Sequence, residues 1–176
     1  MVTLIVMLSR TFAVITLGTA LLLTAGCTTQ PFSAIAASKT AACRSADATL
    51  SPALIYDMMN ACVRQQNYDR AVTLYAQAGS YSWYDAAQAD SDAARQQHQA
   101  LLRDALDKLN ERQRERLWQQ LGERLQEAPA RAQVCRQVTA LGPPRYPADF
   151  MPGGKARTAD ARLWQRAVNH YLHCAS

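Results

Sequence analysis

The chain has 176 residues, of which 49% are hydrophobic and only 7% aromatic, with seven glycines, seven prolines and a formal net charge of +5. That length holds one domain plus a targeting segment. Few aromatic and turn residues, beside abundant Ala, Leu, Gln and Arg after residue 50, argue against a β-sandwich and for helices. Removing Arg10, the only charge before Cys27, leaves +4 with signs interspersed; this falls short of the concentrated basic face that nucleic-acid binding requires.

Thr11 to Gly26 carries no charge. Its apolar run, Phe12 to Leu23, is shorter than the ~20 residues that span a bilayer. It suits a signal-peptide core flanked by positive Arg10. The residues before Arg10 are apolar, an odd leader, and a start at Met7 gives a conventional one. The run ends in Leu23-Thr24-Ala25-Gly26-Cys27. This pattern resembles the lipobox of bacterial lipoproteins: a bulky apolar residue, small residues that admit a peptidase, then a cysteine whose sulfur takes a diacylglyceryl group. The resemblance implies a signal peptide over residues 1–26, cleaved before Cys27, and a membrane anchor of diacylglycerol and palmitate-type chains. Each buried CH₂ contributes about 0.8 kcal/mol, so two or three chains hold the protein firmly. Thr28 stands where an Asp marks inner-membrane retention in enteric-type bacteria, which implies the outer membrane, facing the periplasm. The competing readings are an ordinary secretory signal with an incidental cysteine and a retained transmembrane helix.

Residues 28–42 are small and polar without a period, so residues 27–42 read as a lipidated flexible tether and residues 43–176 as a periplasmic helical domain. Ser51-Pro52 starts a helix, Ser as N-cap and Pro at the first helical position. Ile55, Met58, Met59 and Cys62 then form one apolar stripe. After the polar turn at residues 64–67, a second helix carries Tyr68, Ala71, Val72, Tyr75 and Ala78 on one face. So short a turn makes the two helices antiparallel. The spacing of those five residues resembles the second helix of a tetratricopeptide unit, a likeness covering about 34 residues. It implies one αα-hairpin of that type, set in an irregular bundle of about six helices.

Residues 79–94 read as a long turn of small and acidic residues. It holds Tyr81, Trp83 and Tyr84, which either cover the core edge or form an aromatic contact patch for a partner, where Trp and Tyr are enriched. A third helix spans residues 91–109, with Leu101, Leu102, Ala105 and Leu109 inward. Asn110 and Gln113 form a capping pair for a fourth, whose buried stripe is Leu117, Trp118, Leu121 and Leu125. Arg112, Arg114, Arg116 and Arg124, mixed with glutamates, mark its solvated face. A fifth helix after Pro129 turns Val134, Cys135, Val138 and Leu141 inward and stops at Gly142-Pro143-Pro144. Tyr146, Phe150 and Met151 in the connector tuck under the bundle. The last helix, residues 158–174, presents Ala161, Trp164, Val168, Tyr171 and Leu172.

Apart from Cys27, four cysteines remain: Cys43, Cys62, Cys135 and Cys174. An even number in an exported domain points to two disulfides, for which three pairings exist. Cys43–Cys62 with Cys135–Cys174 is the favoured set. It closes the entry segment onto a helix and ties the last helix to an earlier one. The rival is zinc on Cys174, His170 and His173, but no CxxC accompanies them and a closed site needs four ligands. No metal or cofactor is expected.

There is no GxSxG, HExxH or GxxxxGK. His98 reads as exposed among glutamines. The expected role is therefore a membrane-anchored, non-catalytic protein-binding module. Its partner is either another envelope protein, in an accessory role, or an incoming toxin, in an immunity role. The alternative is a protein that binds or hydrolyses cell-wall peptidoglycan through two converging carboxylates.

Overall fold

A computed structural model describes residues 42–153 and 159–174. The lipobox, Cys27 and most of the tether lie outside them. The described residues form an all-α fold of six helices: α1 Pro52–Arg64, α2 Tyr68–Ala89, α3 Asp92–Asp107, α4 Glu111–Leu125, α5 Ala128–Leu141 and α6 Ala161–Leu172. Four of them begin with a side-chain cap that takes up otherwise orphaned N–H groups. Asn67 caps α2, Ser91 caps α3 and Asp160 caps α6. Asn110 and Gln113 form the reciprocal capping box of α4. Pro129 sits in the first turn of α5 rather than before it.

The α1–α2 hairpin is antiparallel, as its short turn requires; Gln66 makes the reversal in the left-handed region at φ 58°. The stripe Ile55, Met58, Met59 and Cys62 is fully buried. The expectation of a turn over residues 79–94 is overturned. Helix α2 runs without a break from Tyr68 to Ala89, and only Asp90 and Ser91 separate it from α3. Gly and Ser have weak helix propensity, but here burial overrides it. Helix α2 packs against all five other helices, and every residue from Ala76 to Ser82 is buried. A helix enclosed on all sides needs small residues where its neighbours press closest. Gly79 is that place. A Cβ there would lie 2.0 Å from two ring atoms of Tyr171 and 2.3 Å from its hydroxyl oxygen.

The three aromatics of this segment then join α2 to the C-terminal elements. Tyr81 packs on Tyr146 and Trp164, with ring centres 5.9 and 5.2 Å apart, and its hydroxyl donates to the Gly142 carbonyl. Tyr84 meets Trp164 edge-on and its oxygen accepts the Asp160 N–H. The Tyr146 hydroxyl donates to the buried Asp85 carboxylate at 2.6 Å. Tyr146 and Met151 do tuck under the bundle. Two inward assignments fail. Trp118 is 47% exposed, leaning edge-on against Tyr75, because Leu117 and Leu121 take the core-facing positions of α4. Ala161 is exposed, and Leu163 and Ala167 complete the buried face of α6.

Both disulfides form in the favoured pairing, Cys43–Cys62 and Cys135–Cys174. The first pins the entry segment to α1; the second ties the end of α6 to α5. Cys174 is thereby consumed, which removes the zinc alternative with His170 and His173.

Two outcomes are expected. Gly79→Ala lowers unfolding stability in urea by about 1–3 kcal/mol, the usual cost of overpacking. Much of that loss disappears when Tyr171→Ala is combined with it, since the collision is pairwise; additive losses would disprove the contact. Loop-closure entropy assigns about 3 kcal/mol to the bridge across 19 residues and about 4 to that across 39. Paired Cys→Ser variants measured the same way should therefore lose more at Cys135–Cys174 than at Cys43–Cys62.

Candidate functional site

The aromatic contact patch does not survive folding intact. Tyr81 and Tyr84 are 0% exposed, because continuation of α2 points both into the joint with the connector and α6. Only Trp83, half-buried on another face of α2, reaches a surface. Its indole lies against the His170 imidazole of α6, with ring centres 4.9 Å apart and planes inclined by 37°. Together they wall a cleft of about 450 Å³. Ala86 and Ala87 floor it, His98 and Gln99 of α3 close the far side, and Asp90 and Arg95 stand at the rim. Arg95 pairs with Asp90 at 3.4 Å and with Asp92 at 2.7 Å. All three are exposed, so these pairs contribute little stability. They do fix a charged edge beside an aromatic wall.

His98 is not the free surface residue that its glutamine-rich surroundings suggest. It is half-buried, its Nδ1 lies 2.7 Å from the Ser82 Oγ, and its ring meets the edge of Tyr171. Burial, and secondarily the nearby charge of His170, lowers its pKa below the ordinary 6.5. Ser82 beside His98 has the outline of a nucleophile and base, but the surroundings exclude that chemistry. Ser82 is 0% exposed, so no substrate carbonyl can reach it. Its hydroxyl also lies within bonding distance of the Gly79 carbonyl one turn back. The N–H groups around it belong to the helix ladder and are not free to hold an oxyanion. The pair is a structural bond between α2 and α3.

A second polar seam lies deeper. The hydroxyls of Tyr56, Ser80 and Tyr171 and the Oδ1 of Asn60 are buried without a hydrogen-bond partner among the described residues. The Tyr56 and Tyr171 hydroxyls act on one another but do not meet hydrogen-bond geometry. Burial drives the pKa of both upward; neither ionises at physiological pH, and neither is placed to act as an acid or base on a ligand. Among the described residues no group of three His, Cys, Asp or Glu side chains is arranged to hold a metal ion.

The sequence alone singled out Trp83 but not its setting. His170 joins it because α6 crosses α2 at that level, a pairing that carries no local signal. No family model, curated protein or solved structure matches this chain.

The buried imidazole makes stability depend on pH with a definite sign. Unfolded His98 titrates near 6.5 and folded His98 lower, so between those values the unfolded chain binds more protons. Stability from this group is complete above pH 6.5 and is lost as pH falls through the window below it. Thermal melts from pH 7.5 down to 5.5 should show a fall in Tm that is shallower in His98→Gln. An identical slope in the variant would assign the titration elsewhere.

Proposed function

We propose that this chain is a lipid-anchored lipoprotein of the bacterial envelope, held at the outer membrane and facing the periplasm. In this reading its helical domain is a non-catalytic module that binds another protein, in an accessory or an immunity role. The disulfide pair is the observation that carries it. Two bridges of 19 and 39 residues suit an oxidising compartment, and they agree with the lipobox-like Leu23–Cys27 segment. The Trp83 cleft supports the binding part. An aromatic wall, a small apolar floor and a charged rim match the make-up of interface hot spots. Ser82 and His98, the pair that most resembles catalytic machinery, are locked into packing.

The anchor and the binding role are separable in one experiment. Cells expressing the full chain are fed a palmitate analogue, crosslinked and fractionated. The parent should carry the label and float with outer membranes; Cys27→Ala should lose the label and leave the membrane fraction. A stoichiometric crosslinked protein should be recovered with the parent and reduced severalfold by Trp83→Ala, as for an interface hot spot. An unlabelled parent would sink the anchor; recovery unaffected by Trp83→Ala would sink the cleft.

A further inference from the structure

The two disulfides sit in different surroundings. Their outer partners, Cys43 and Cys174, are both half-buried. Their inner partners differ. Cys62 is 0% exposed, on the apolar stripe of α1 with Ile55, Met58 and Met59. Cys135, in the middle of α5, is 9% exposed and borders an open cleft of about 530 Å³. Cys174 borders the same cleft, where Ala132, Thr139 and Ala140 of α5 face Gln165 of α6. These mostly small side chains leave the bridge open to the cleft. Neither Cys43 nor Cys62 borders this cleft or the Trp83 cleft.

Thiol–disulfide exchange needs one sulfur that can be attacked and another that can leave as a thiolate. At Cys43–Cys62 the burial of Cys62 closes that sulfur to attack, so the departing thiolate would be Cys62 itself. Apolar surroundings raise a thiol's pKa and make it a poor leaving group. At Cys135–Cys174 the departing thiolate is Cys135, beside the cleft. Arg131, one turn earlier on the same face of α5, and Arg136, the next residue, line that cleft. Arg131 holds the Leu125 and Gln126 carbonyls. Arg136 is exposed and belongs to none of the ion pairs among the described residues. A guanidinium beside a departing sulfur favours the thiolate.

We infer that the α5–α6 cleft is a thiol–disulfide exchange site whose substrate is a dithiol, and that the Cys135–Cys174 bridge is a redox latch on the end of α6. A thiolate of the dithiol attacks the Cys174 Sγ, a mixed disulfide forms there, and the Cys135 sulfur leaves as a thiolate. The second thiolate of the reductant then attacks its own sulfur in the mixed disulfide and releases Cys174. The reductant departs as a disulfide, having lost two electrons and two protons, and both cysteines end as thiols.

The latch holds the last turn of α6. Cys174 follows that helix across His173, which lies in the left-handed region at φ 53°. His170 and Tyr171 lie within about one turn of the bridge. His170 stacks on Trp83, and Tyr171 fills the place of the missing Cβ at Gly79. The start of α6 is held independently, by the Asp160 cap and by burial of Trp164 and Ala167. Opening the bridge therefore frees the end that builds one wall of the Trp83 cleft. Only that consequence rests on reading the Trp83 cleft as a contact surface; the exchange chemistry does not.

The test uses the full chain in a nonionic detergent, with dithiothreitol as the dithiol. Thiols are trapped at intervals with N-ethylmaleimide and assigned by mass spectrometry. Cys135 and Cys174 should take up label about tenfold faster than Cys43 and Cys62, or more. Arg136→Gln should slow their labelling about threefold, whereas Arg103→Gln, the same loss of charge on α3, should not. In protein with only this bridge open, hydrogen exchange should rise about tenfold over α6 and stay unchanged over α1. Equal labelling of the two bridges, or earlier opening of Cys43–Cys62, would overturn the exchange site. So would an Arg136→Gln rate equal to the parent's. Unchanged exchange over α6, or loss of protection in α1 at the same time, would overturn the latch. None of these readouts involves Cys27 or a partner, so failure here and failure of the anchor or of the Trp83 contact are told apart.

Discussion

The contact between Gly79 and the ring of Tyr171 sets the terms for the rest of this structure. Helix α2 packs against all five other helices of the described residues, and its middle has no face left for solvent. An enclosed helix can be approached closely only where it has little side chain, and α2 supplies Ala76, Ala78, Gly79 and Ser80 in that stretch. The ring of Tyr171 occupies the place of the missing Cβ. That seats α6 against α2 and brings Trp164 and His170 to the level where they meet Tyr81, Tyr84 and Trp83. Residues that weaken an isolated helix are thus what permits this one to be central.

Such packing has a polar cost, and the molecule offsets most of it locally. Asp85 is buried but receives the Tyr146 hydroxyl. The buried Asn60 amide donates to the Ala105 carbonyl near the end of α3. Tyr81 and Tyr84 bond to backbone groups that flank the connector. Aromatic pairs of this kind contribute roughly 0.5–1.5 kcal/mol beyond area burial, so the joint around Trp164 holds both by contact and by bonding. The hydroxyls of Tyr56, Ser80 and Tyr171 stay buried without a hydrogen-bond partner among the described residues, a cost that the packing carries.

The same arrangement bears on function. Ser82 and His98 join α2 to α3 in the interior, whereas Trp83 and His170 line a surface cleft. Trp83 and His170 stack at a tilt beside an ion-paired rim.

Much of the architecture was legible from residue order. The Ser51-Pro52 start, the Asn110–Gln113 box and the stop at Gly142 are local signals, because capping and backbone preference act within a turn. The buried stripes of α1 and α5 follow from helical periodicity, and the parity and placement of four cysteines pointed to the two bridges. The continuation of α2 through residues 79–89 was not legible: its glycine and serines are disfavoured in isolation and accepted only because five helices enclose them. For the same reason Tyr81 and Tyr84 became core and His98 found Ser82. Neither the meeting of Trp83 with His170 nor the cleft between α5 and α6 is written in any one segment. Each is made by residues distant in sequence, and their proximity is decided by how helices cross, which is a property of packing rather than of local preference.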